Sequence, residues 1–107
     1  MSLDFSLHAV RRTEIFETNI THNLGKIAEA AGIYYALWKP EDKGLKYAKD
    51  ITPLLENGLA DLEARPDHYA QFNASNGWGM YEHFVPFVRE VLTACKENPD
   101  AEIEVSR

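Results

Sequence analysis

Apolar and polar residues alternate at both ends of the chain, and this alternation predicts short strands. Over residues 3–9 every second side chain is apolar, which is the period-two pattern of a strand with one buried face. The same pattern returns in residues 102–106, around Ile103 and Val105. A further extended run over residues 13–18 follows two arginines that suit a bend. The pattern does not decide whether this run forms a hairpin with the first strand. We expect the last strand to pair with an N-terminal strand.

Between these strands, apolar residues recur at three- and four-residue spacing, which is typical of amphipathic helices. The first predicted helix begins at Thr21, which can cap it, and stops at Gly32, a residue suited to a helix end. The second covers residues 45–65 and the third residues 81–95, and a short helical turn is predicted over residues 33–38. The pattern therefore predicts a single α+β domain of 107 residues, with about three helices packed against a small antiparallel sheet.

Two prolines lie inside the predicted second and third helices. Proline removes a backbone donor and clashes with the preceding turn, so Pro53 and Pro86 each indicate either a kink or a fresh helix start. For Pro53, the fresh start would use Thr52 as its cap. Residues 67–77 are the longest stretch without a helical pattern, which makes them a candidate functional loop.

Composition and charge narrow the class of protein. Apolar residues make up 45% of the chain, which suits a folded, soluble globule. No apolar run approaches the roughly 20 residues that span a bilayer, and the first ten residues lack the pattern of a secretion signal. The formal charge of −6 argues against nucleic acid as a partner, because phosphate binding needs clustered lysine and arginine. We therefore expect a cytoplasmic protein without a membrane or nucleic-acid partner.

The residues that could hold a metal do not show the spacing of a metal site. The four histidines and the lone Cys95 form no close pairs, and the sequence contains no phosphate loop, nucleophile elbow or zinc signature. Cys95 falls on the predicted core face of the last helix, where a cysteine acts as a small apolar residue. We predict no metal and no cofactor, and we assign no catalytic residue.

The most unusual polar segment lies where an N-terminal strand gives way to the first predicted helix. A helix start leaves backbone donors unpaired and carries partial positive charge, which favours an anion. Asn19, Thr21, His22 and Asn23 could add side-chain donors there. The alternative is that Asn19 and Thr21 only cap the helix and that His22 is a surface residue.

A second such segment precedes the third helix. Asn76, Gly77 and Gly79 could bring backbone N–H groups close to a ligand, while Trp78 offers a flat face and one donor. The alternative is a turn and cap in which Trp78 closes the core.

An aromatic cluster follows the first helix. Tyr34, Tyr35 and Trp38 could form a wall on which a base or sugar ring stacks. Aromatic residues at this spacing are otherwise typical of a core or an interface.

Four blocks of sequence resemble a known group of proteins. The blocks read NITHN, AGIYYALWKPE, NGWGMYEHFVPFV and AEIEVSR. They are similar, in the same order over residues 14–107, to a family of small uncharacterised proteins from bacteriophage and bacterial genomes. The resemblance implies expression inside a cell and a role in binding, either sequestering a nucleotide signal or blocking a host protein.

Three classes of function follow as hypotheses. The leading one is a small-ligand-binding protein without enzymatic activity, which holds a nucleotide-like or other anionic molecule between the starts of the first and third helices. The alternative is a protein-interaction or inhibitor module that binds a partner or itself through exposed aromatic residues. The lesser alternative is a hydrolase or phosphoester-acting enzyme that uses His22 as acid or base. The leading hypothesis requires the two helix starts to converge in space.

Overall fold

The computed structural model describes residues 2–8, 14–21, 24–73 and 80–106. The elements, in chain order, are β1 (Ser2–His8), β2 (Glu14–Thr21), α1 (Gly25–Ala30), α2 (Tyr34–Trp38), a 3₁₀ turn (Pro40–Lys43), α3 (Ala48–Ala64), α4 (Pro66–Ala70), α5 (Tyr81–Glu97) and β3 (Glu102–Ser106). The predicted α+β class is confirmed, with three strands and five α-helices in the described ranges. None of those helices is both long and apolar enough to cross a bilayer.

The three strands form one antiparallel sheet in the order β2-β1-β3. The predicted pairing of the last strand with an N-terminal strand is confirmed, since Leu7 lies opposite Ile103. Leu3, Phe5 and Leu7 are fully buried, whereas the residues between them face outwards. Alternation along β1 therefore separates a core face from a polar face, as the period-two pattern predicts.

The outer edge of β3 is partly covered by the segment that leads into α3. Ile103 donates its backbone N–H to the carbonyl of Lys46 at 2.9 Å, and Ala48 donates to Ala101 at 2.8 Å. This pairing keeps residues 45–47 extended. The second helix therefore begins at Ala48, whereas the sequence pattern predicted a start at Leu45.

Both long helices continue through their prolines, so the fresh-start alternative is wrong for Pro53 and for Pro86. Thr52 is not a cap. It lies inside α3, where its hydroxyl donates to the carbonyl of Ala48 at 2.9 Å. The expected loop over residues 67–77 is also partly wrong, because Pro66–Ala70 is helical and residues 74–77 lie outside the described ranges.

The first helix begins later than Thr21. The β-branched residues Ile20 and Thr21 continue the pairing of β2 with β1, opposite Leu3 and Ser2, so the strand runs to Thr21. The helix is reduced to Gly25–Ala30. Gly32 has a positive φ of 78° at the end of this segment, which matches its predicted role as a stop.

Helices α3 and α5 pack beside each other under the sheet, and a glycine allows a third element to approach them. A Cβ built on Gly58 would lie 2.4 Å from Cγ2 of Ile33, which is fully buried. Gly58 therefore lets the segment before α2 lie directly against the backbone of α3. The core that results consists of buried apolar side chains. It includes Cys95, as predicted from its position on the core face of the last helix.

Candidate functional site

Of the residues selected in the two predicted binding segments, Asn19 and Thr21 lie within the described ranges. His22, Asn23, Asn76, Gly77, Trp78 and Gly79 lie outside the described residues. Asn19 is exposed on β2, opposite Asp4, and Thr21 is the last residue of that strand. Convergence of these polar groups on one ligand stays a prediction.

The aromatic cluster divides between core and surface. The rings of Tyr34 and Trp38 stack with centroids 5.5 Å apart and planes 7° from parallel. Trp38 is 1% exposed, and its ring also contacts Phe84 with a centroid distance of 6.5 Å. Trp38 is therefore covered by protein on the side that Tyr34 occupies, and a ligand would meet Tyr34 or Tyr35 first.

This cluster connects the described beginnings of α1 and α5. A Cβ on Gly25, the first residue of α1, would lie 3.6 Å from Cε1 of Tyr34, an ordinary contact distance. Phe84, near the beginning of α5, lies against the other member of the stack, Trp38. Gly25 of α1 and Phe84 of α5 thus border the same group of rings, while most of the polar residues predicted before these helices lie outside the described ranges.

Tyr35 is the exposed member of the cluster, with 45% of its surface accessible. Its ring meets that of Tyr34 edge-on, with centroids 5.5 Å apart. The ammonium group of Lys43 lies 4.7 Å from the Tyr35 ring centroid, a cation–π distance. Residues 26–43 contain three lysines and three acidic residues, so this segment is neutral in a chain of charge −6. An exposed ring and a positive charge therefore lie together in a locally neutral segment.

The beginning of α5 is capped by a residue that the sequence analysis did not select. The side-chain oxygen of Asn73 accepts the backbone N–H of Tyr81 at 2.7 Å. Asn73 precedes the helix by eight residues, and no local cap pattern has that spacing. Glu82 in the first turn adds a negative charge, which is unfavourable for an anion at this helix start.

The polar face of the sheet carries a second cluster that the sequence analysis missed. Nε2 of His8 lies 2.9 Å from a carboxylate oxygen of Glu104 and 3.0 Å from the hydroxyl of Ser6, in a cleft of about 210 Å³. A serine–histidine–acid relay needs the serine and the acid on opposite ring nitrogens. Here both use Nε2, and Nδ1 is buried without a partner among the described residues. This arrangement does not suit nucleophilic catalysis.

A groove lies between the edge strand β2 and helix α5. It has a volume of about 430 Å³, and Phe16 forms its wall on the strand side. On the helix side it is lined by Pro86, Arg89, Glu90, Thr93, Ala94 and Glu97. Phe16, Thr18 and Ile20 on the inner face of β2 are only partly buried, so the helices cover this strand less completely than β1.

Within the described part of the chain, no three His, Cys, Asp or Glu side chains are grouped so that they could hold a metal ion. Burial raises the pKa of the Cys95 thiol to about 12, which makes it a poor nucleophile. Comparison of the chain with protein-family models, with curated proteins and with solved structures finds no match, so the resemblance to the phage and bacterial family stays a prediction.

Proposed function

We propose that the protein binds, in the cytoplasm, a small molecule that carries both a planar ring and a negative charge, such as a nucleotide, and that it does not transform this molecule. The observation that supports the proposal is the position of Tyr35 and Lys43. An exposed ring with an ammonium group 4.7 Å from its centroid offers stacking and charge neutralisation at one place.

In this proposal each part of the cluster has a separate task. Tyr35 stacks on the ring of the ligand, and Lys43 turns from the tyrosine face towards the anionic group. Tyr34 holds the position of Tyr35 by its edge-on contact, and it is itself held by the buried ring of Trp38. The predicted donors around His22 and Gly77 would complete the site from the two helix starts.

The net charge of the chain does not forbid an anionic ligand. Salt screens exposed charges beyond roughly 10 Å at 0.1 M ionic strength. The segment that carries Tyr35 and Lys43 is neutral, so the acidic residues that produce the charge of −6 lie elsewhere in the sequence.

Thermal denaturation with a panel of nucleotides and cyclic nucleotides tests the proposal. A ligand at about 100 times its dissociation constant stabilises the folded state by about 2.7 kcal/mol, which raises Tm by on the order of 10 °C in a domain of this size. No shift with any member of the panel would reject ligand binding of this class. Recovery of intact ligand after long incubation checks the non-enzymatic part.

Variants test the location of the site. Stacking contributes about 1–3 kcal/mol per base, so Tyr35→Ala should weaken binding by roughly 5- to 150-fold. Leu54→Ala is the matched control, because Leu54 is also a large exposed apolar residue, at 39%, and lies on α3 outside the cluster. Equal affinities in both variants would move the site away from Tyr35. His22→Ala and Trp78→Ala test the two predicted segments in the same assay.

The second candidate function is a protein-interaction module. The observation that favours it is the groove beside β2, because exposed strand edges with adjacent apolar surface are a common route to protein association. Retention of a partner during purification from the native host would support this candidate. A chain that is monomeric and binds no partner would remove its support.

A further inference from the structure

Within the described ranges, the outer edge of β2 has no strand beside it and is available for pairing. β2 is at one end of the sheet, and no described strand pairs with its outer edge. The opposite edge strand, β3, is protected by its hydrogen bonds to the segment before α3. Natural proteins protect such edges with lysine, proline or cover from other elements. β2 has the sequence EIFETNIT, without lysine, proline or glycine.

We propose that a second copy of this chain pairs with the outer edge of β2, so that two β2 strands run antiparallel across a two-fold axis and join the two sheets into one. The groove between β2 and α5 lies beside this strand, and Phe16 of β2 lines it.

The sequence of β2 selects the register of this pairing. Residues directly opposite each other in an antiparallel pair point to the same face of the sheet. Core-facing residues of one copy therefore lie opposite core-facing residues of the other only if the two-fold axis passes through a residue and not between two residues. An axis at Glu17 would place two carboxylates directly opposite each other, which is unfavourable. An axis at Thr18 instead places Phe16 opposite the second copy's Ile20, and Glu17 opposite the second copy's Asn19.

The axis at Thr18 fits both faces of the sheet. On the core side, Phe16 and Ile20 are partly buried in the single chain and would cover each other across the axis. On the polar side, an amide lies opposite a carboxylate and can donate to it. The pairing of β2 with β1 is regular from Phe16 to Thr21, so this part of the strand has the geometry that a further strand requires. The match of β2 with itself is the reason for choosing a second copy as the occupant.

Sedimentation equilibrium from micromolar to millimolar chain concentration tests self-association. The salt concentration should be about 0.3 M, so that repulsion between two chains of charge −6 is screened. The wild type and Thr18→Val should form dimers, whereas Thr18→Lys should raise the dissociation constant roughly tenfold or more by opposing two ammonium groups at the axis. Ser106→Lys is the matched control, because it adds the same charge to the other edge strand. A wild-type monomer throughout, or equal weakening by the two lysines, would overturn the proposal.

Cysteine cross-linking provides a second test that does not depend on the stability of Thr18→Lys. Thr18→Cys should form a covalent dimer under mild oxidation, because a residue on the axis lies directly opposite its own copy. Ser106→Cys should stay monomeric, and Cys95 is buried and does not compete. Failure of Thr18→Cys to cross-link more than Ser106→Cys would also overturn the inference.

Discussion

Gly58 in α3 allows a direct test of how closely the helices pack. Alanine normally stabilises a helix interior by about 1 kcal/mol relative to glycine. In this protein the new Cβ would lie 2.4 Å from Cγ2 of Ile33 and 3.3 Å from the carbonyl oxygen of Ala31. Cγ2 is bonded to the Cβ of Ile33, which is β-branched and fully buried. It therefore cannot rotate away from the new methyl group as the end of a long side chain could.

The opposing effects can be compared in magnitude. Overpacking a core costs typically 1–3 kcal/mol and occasionally more. Since the overlap is severe, we expect the upper part of this range, and Gly58→Ala should lower the free energy of unfolding by about 1–2 kcal/mol after the helix gain is subtracted. Urea denaturation followed by circular dichroism measures this difference as a fall in the midpoint of about 0.5–1 M.

Gly25→Ala is the matched control. Its Cβ would meet the Tyr34 ring at 3.6 Å, which is ordinary contact, so the same substitution should stabilise the protein by up to about 1 kcal/mol. In an Ile33→Ala background, which removes Cγ2, most of the cost of Gly58→Ala should disappear, and only the contact with the carbonyl oxygen of Ala31 remains. A Gly58→Ala protein as stable as Gly25→Ala would refute the packing argument.

Two further predictions concern ionisable groups. Arg65 and the hydroxyl of Tyr69 hold the pKa of Asp61 below its ordinary value of 3.8, so this carboxylate stabilises the fold above that pH and loses its contribution as the pH falls through the lowered pKa. Asp61→Asn should therefore lose less Tm than the wild type between about pH 5 and pH 2, and equal losses would contradict this role. Cys95, whose thiol pKa is raised to about 12 by burial, should resist a thiol reagent in the folded protein and react fully in urea; rapid reaction of the native protein would contradict its burial.

Periodicity was sufficient to predict the architecture, but not where each element begins. Alternation around Phe5 and Ile103 predicts two strands whose pairing the structure confirms. The first helix was expected to begin at Thr21 because threonine suits a cap as well as a strand. Only the pairing of Thr21 with Ser2 decides between these roles, and that pairing depends on residues distant in the sequence. The start of α3 was misplaced for the same reason.

The candidate site was predictable in part. The aromatic spacing identified Tyr34, Tyr35 and Trp38 as a cluster, but it could not say that Trp38 is enclosed while Tyr35 is exposed. The Asn73 cap and the contact of Lys43 with Tyr35 involve partners eight residues apart, and no helix or strand period predicts them. The contact between Nε2 of His8 and Glu104 requires β3 to lie beside β1. The local sequence around His8 does not show this contact.

The position of β3 also affects how the chain folds during synthesis. The central strand β1 is made before the helices, yet one of its two neighbours, β3, is made after them. Until then the core strand has an exposed edge, and the backbone N–H groups of Ala48 and Lys49 lack their acceptors at Ala101 and Pro99. The native sheet therefore cannot be completed until β3 has been synthesised, and the nascent chain depends until that point on contacts among its helices and the β1–β2 pair.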